Sequence, residues 1–152
     1  MNLSELFDDQ SLLLDVEPYE KEKLLETIVR KFDSRGLIED FDCALSDVIE
    51  REKVMSTGIG NGVAIPHAYT DGVTKLVAGF FRTREPVDFA ALDGKQVDLF
   101  FIILGPKASR RNHIKVLAKI SRLLNHEDFR GNLRDATSVA DVREVFNRHG
   151  DR

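Results

Sequence analysis

Cysteine occurs once, at Cys43, so no disulfide can close within the chain, and the flanking Asp42 and Ala44 offer no cation to lower the thiol pKa. Its expected role is that of a small packed residue. Apolar runs are short, and none approaches the roughly 20 residues that a membrane helix needs. The first residues, with Glu5, Asp8 and Asp9, lack the basic and apolar regions of a secretory signal. A cytoplasmic protein with no membrane insertion is therefore expected. Gly58, Gly60 and Gly62 lack the third-glycine spacing of a dinucleotide loop, and no Lys-Ser/Thr pair completes a P-loop. One cysteine and scattered histidines give no close pair of zinc ligands, and no nucleophile elbow of a serine hydrolase is present. Neither a bound nucleotide nor a structural metal is expected.

What remains is a chain of 152 residues, 42% of them hydrophobic, long enough for one domain over 1–152 with a real core and too short for two comfortable ones. Its net charge of −4 hides an asymmetry, because residues 1–55 carry 15 acids and 7 bases whereas residues 56–152 carry 11 acids and 15 bases. Six cations and no acid lie between Lys107 and Arg122. A shared face would give them a positive potential suited to docking a partner, although Ile114, Leu117, Ile120 and Leu124 more simply describe a core-facing helix. An acidic chain without aromatic-basic interleaving argues against nucleic acid.

Hydrophobic spacing predicts a short buried strand over 11–16 and, after Glu17-Pro18, a helix from Tyr19 to about Arg35 that stops at Gly36. A second helix is expected over 42–53, with Arg51 near its end. The runs 76–82 and 97–104 read as central strands, with Pro86 in a loop and Asp93-Gly94 in a tight turn between them. Helices follow over 111–124, 127–133 and 139–147. Alternating helices and strands point to an α/β sandwich, a mixed sheet of four or five strands flanked by helices on both faces.

The stretch Ser56-Thr57-Gly58-Ile59-Gly60-Asn61-Gly62-Val63-Ala64-Ile65-Pro66-His67 carries the chemistry. Pro66 fixes its own φ and biases Ile65 toward extended backbone, so the imidazole of His67 leaves the chain in a narrow range of directions. Near neutral pH an imidazole is largely an uncharged nucleophile, suited to phosphoryl transfer. Such transfer needs cations and donors around the moving group. Arg51, the amides of Gly58–Gly62 and the cationic stretch containing His113 are the candidates. From the residues alone, His113 better fits a helix start where it caps or faces solvent, Arg51 equally fits a cation favourable to its helix dipole, and His126 and His149 read as surface residues.

The same stretch resembles the active-site signature of type-2 enzyme IIA domains of the phosphoenolpyruvate-dependent sugar phosphotransferase system, in the fructose-mannitol and nitrogen-regulatory branch. The resemblance extends to residues 12–16, Arg51-Glu52, 89–94, 97–106 and 113–124. It implies that His67 is phosphorylated at Nε2 by HPr or a nitrogen-branch HPr-like phosphocarrier, with Arg51 and His113 neutralising and hydrogen-bonding the phosphoryl group. It also implies a mixed sheet flanked by helices and no bound cofactor. After His67 the chain reads Ala68-Tyr69-Thr70-Asp71-Gly72, where many nitrogen-regulatory members have a glycine and a basic residue. No fused IIB, IIC or HPr-like segment is recognised, so the acceptor is expected to be a separate IIB component or a regulatory target. The alternative is a binding module whose phosphorylation only switches partner affinity.

Overall fold

A computed structural model describes residues 2–152. Strand β1 (Phe7–Val16) leads into α1 (Lys21–Ser34) and α2 (Phe41–Val54), followed by three short strands, β2 (Gly58–Gly60), β3 (Val63–Ala64) and β4 (His67–Tyr69). Two long strands, β5 (Val77–Val87) and β6 (Val97–Gly105), precede α3 (Arg110–Leu124), α4 (Glu127–Asp135) and α5 (Val139–His149). The sheet runs β1-β5-β6-β3-β2, with β4 also paired to β6 beyond β3. β1 is parallel to β5, β5 antiparallel to β6, and β3 and β4 each parallel to β6.

The mixed α/β architecture is as expected, with six strands rather than four or five. The extra strands are two or three residues long, too short for alternation to register in the sequence. β6 is buried on both faces, which is why it reads as a continuous apolar run. Phe100, Ile102 and Leu104 point into a core with α1 and α2, while Leu99, Phe101 and Ile103 point into a second core with α3, α4 and α5. The sheet is thereby covered on both sides. Side chains cap three helices, Glu20 and Asp40 accepting from first-turn amides of α1 and α2, and Ser138 from Asp141 of α5.

Several expectations change. β1 starts at Phe7, before the exposed Asp8, Asp9 and Gln10 that interrupt its pattern. β5 continues through Pro86, which sits in a register shift between Arg82 and Val87, a position where a strand tolerates proline. Ile114 is exposed, and Lys119 turns inward to donate from Nζ to the carbonyls of Gly150 (2.7 Å) and Arg152 (3.0 Å). The six cations therefore do not share one face. His149 is buried, with Nε2 3.0 Å from the Asn132 amide nitrogen, rather than lying on the surface. Cys43 is half-buried in the first turn of α2.

Candidate functional site

His67 opens β4 at the C-terminal end of β6, opposite Ile103. Its stem is laced on both sides: the Ile65 amide donates to the Thr57 carbonyl and the Ile103 amide to the Pro66 carbonyl, both at 3.0 Å. Ile65 and Pro66 are buried, and the imidazole is half-exposed. Nδ1 lies 2.8 Å from the Ile65 carbonyl oxygen, which can only accept, so Nδ1 carries the proton and Nε2 keeps its lone pair. Burial lowers the His67 pKa, the Ile65 hydrogen bond partly offsets this, and the nearby Arg51 cation lowers it further. At neutral pH the ring is largely uncharged, with the Nε2 lone pair available.

His113 faces it, with ring centroids 5.7 Å apart. This histidine neither caps its helix nor faces solvent: it is fully buried on the inner side of α3, and neither ring nitrogen has a hydrogen-bond partner. Gly105 makes the room, since a Cβ there would lie 3.0 Å from His113 Nδ1. Burial, followed by the neighbouring His67 and Arg110, pushes the His113 pKa down to about 4.

Arg51 is half-buried near the end of α2, and its Nη1 donates to the Met55 carbonyl at 3.0 Å. Glu52 beside it is buried, accepts from the Thr57 amide (2.7 Å) and hydroxyl (2.5 Å), and pairs with Lys21 Nζ at 3.0 Å. This carboxylate ties α1, α2 and the start of the histidine stretch together. Of the three expected residues, His67 and His113 face each other directly, while Arg51 acts on His67 through its charge and donates its hydrogen bond to the Met55 carbonyl.

The glycine-rich amides have a different place. Asn61 (φ 59°) and Gly62 (φ 77°) form a tight hairpin turn between β2 and β3, whose two positive φ values fit the Asn-Gly pair. β3 pairs with Leu99 and β4 with Ile103, four residues along β6, so the turn lies more than roughly 13 Å from His67. The Gly58 amide donates to Ser56 Oγ and the Asn61 amide to Asp93, while Arg134 holds the Asn61 carbonyl. The hairpin braces the sheet edge and supplies no phosphate cradle.

Two neighbours were not expected from sequence. The Tyr69 ring lies 4.4 Å from that of His113, and the Arg110 guanidinium sits 4.5 Å over Tyr69. Their spacing was the available signal: Tyr69 follows His67 by two in a strand and Arg110 precedes His113 by three in a helix, each the interval of a shared face. Among the described residues no group of three or more His, Cys, Asp or Glu side chains is placed to hold a metal ion.

This chain is 40% identical over 133 residues to the fructose-specific EIIA component of Haloferax volcanii, covering 88% of this chain and 86% of the relative. It is 34% identical over 146 residues to a nitrogen regulatory protein of Pseudomonas aeruginosa, covering 95% and 94%. The crystal structure of nitrogen regulatory protein IIA-Ntr from Neisseria meningitidis superposes with a TM-score of 0.82 at 33% identity, covering 94% and 97%. The family described as phosphoenolpyruvate-dependent sugar phosphotransferase system, EIIA 2, matches residues 5–149, nearly the entire sequence, and the chain belongs to it.

Proposed function

We propose that His67 is the phosphoryl-carrying residue of this phosphotransferase component. The observation that carries the reading is the single free nitrogen: Nδ1 is committed to the Ile65 carbonyl, so Nε2 is the atom left to attack. In the transfer a phosphohistidine on the donor loses its P–N bond as His67 Nε2 forms a new one, and the electron pair returns to the donor ring. Arg51 offsets the charge on the equatorial oxygens, and His113 donates a hydrogen bond from one of its unpartnered nitrogens. The donor is HPr or an HPr-like phosphocarrier, and the chain, acting as one unit over 1–152, works in the cytoplasm without a cofactor. The acceptor is a IIB component, a reading favoured by the 40% identity to a fructose-specific component. A regulatory target is the second reading, supported by the 34% identity to a nitrogen regulatory protein.

Incubation with phosphoenolpyruvate, enzyme I and an HPr-like protein is expected to give an acid-labile adduct on His67 and none on His67→Ala. An adduct that survives His67→Ala, or none with any HPr-like donor, overturns the assignment.

A further inference from the structure

We propose that Tyr69 and Arg110 are positioning residues, whose stacked side chains cover His113, hold its ring against the His67 imidazole and keep it uncharged for its meeting with the phosphoryl group. The proposal rests on the reading of His67 as phosphoryl carrier.

Two periodicities build the stack. His67 and Tyr69 leave β4 on one side because strand side chains alternate, and Arg110 and His113 leave the first turn of α3 on one side because they are three apart. The two pairs interleave, giving the order Arg110, Tyr69, His113, His67 at 4.5, 4.4 and 5.7 Å. Gly105 stands opposite Tyr69 in the strand pairing and leaves His113 the space to enter.

The stack explains what would otherwise be a defect. A buried ring with two unpartnered nitrogens is destabilising, and such groups are rare in native cores. Tyr69 supplies the surface that excludes water from it. Arg110 forms no ion pair among the described residues, and its guanidinium rests on the π face of Tyr69. His113 also lies in the first turn of α3, which contains no acid, so the positive end of the helix adds to the charge of Arg110.

Around His113 the facing groups are Arg110 from its own helix and His67 and Tyr69 from β4, with neutral Gly105 on β6; Arg51 and Glu52 of α2 act on His67 beyond it. No carboxylate among them touches His113, and its low pKa agrees with that arrangement. The neutral state matters for turnover. A cationic His113 would hold the phosphoryl group as an ion pair and deepen the phosphorylated state, whereas a neutral ring donates one hydrogen bond and lets the group leave.

The test follows the His113 ring by 15N NMR from about pH 3 to pH 8, alongside phosphoryl acceptance from the phosphorylated HPr-like protein and return to its unphosphorylated form near neutral pH. Tyr69→Ser is expected to move the His113 midpoint up toward about 6.5. It should also slow return at about pH 6 by about tenfold relative to about pH 8, a ratio absent from the parent protein. Tyr69→Phe keeps the π face and should match the parent. Arg110→Gln should raise the midpoint by a smaller step that Arg110→Lys largely reverses. If Tyr69→Ser unfolds, the surface variant Arg110→Gln carries the same comparison. Folded Tyr69→Ser and Arg110→Gln variants that both keep the parent midpoint and the parent pH profile overturn the proposal. Failure of the parent protein to form any adduct on His67 overturns instead the underlying reading, and with it the purpose assigned to the cover.

Discussion

Replacing His113 with phenylalanine isolates the free energy stored in one buried imidazole. In the fold this ring titrates at about 4 because it is sealed from water beside Arg110 and His67. In the unfolded chain it titrates at about 6.5. A base whose pKa is lowered by folding binds its proton better when unfolded, so acid favours unfolding. The loss begins as pH falls below about 6.5 and is complete below about 4. Integrated between about pH 7 and pH 5, it amounts to ~2 kcal/mol. His113→Phe keeps a planar ring of similar volume, removes two unpartnered nitrogens and cannot titrate. Its stability at pH 7 is expected within about 1 kcal/mol of the parent. On acidification to about pH 5 the parent should lose ~2 kcal/mol more than the variant. Urea denaturation at both pH values measures this double difference, in which the other titrating groups cancel. Parallel losses in the two proteins would refute the claim that His113 is buried without its proton.

Two further predictions concern α2. Arg51→Lys keeps the charge and removes the planar fork, so phosphoryl acceptance followed by stopped-time adduct assay should slow by about tenfold while stability stays within ~0.5 kcal/mol; unchanged kinetics would remove Arg51 from the site. Glu52→Gln leaves the half-buried Lys21 without its anion and weakens the buried grip on Thr57, so denaturant unfolding should show a loss of about 2 kcal/mol, a neutral result meaning that the carboxylate is not what joins the helices to the histidine stem.

The long elements were legible because burial imprints a period on their sequence. α1 shows Leu24, Leu25, Ile28, Val29 and Phe32 at helical spacing, and all five face one core. β6 is apolar throughout because both of its faces are covered. The short strands had no such imprint. Val63 and Ala64 form a strand because β6 offers an unpaired edge, a tertiary reason that local pattern cannot carry. The Asn61-Gly62 pair is a strong hairpin signal, but the glycines around it equally offer free amides to a phosphoryl group, and local sequence does not decide between the two. At the site, His67 is marked by its proline stem, whereas Arg51 and His113 are only candidates from their charge and chemistry, and their roles beside His67 come from the family resemblance. Tyr69 and Arg110 escaped because their contact joins the end of one element to the start of another 41 positions on.

The short contact between His67 and the main chain two residues behind it has a consequence for the bond that the ring would carry. With Nδ1 held in its protonated form, a phosphorylated ring is an imidazolium, and when the phosphorus departs the leaving group is neutral imidazole rather than an imidazolate anion. No proton has to move during that departure. Because the partner is a peptide oxygen, no side-chain replacement removes it directly, so the lability of the adduct is written into the backbone.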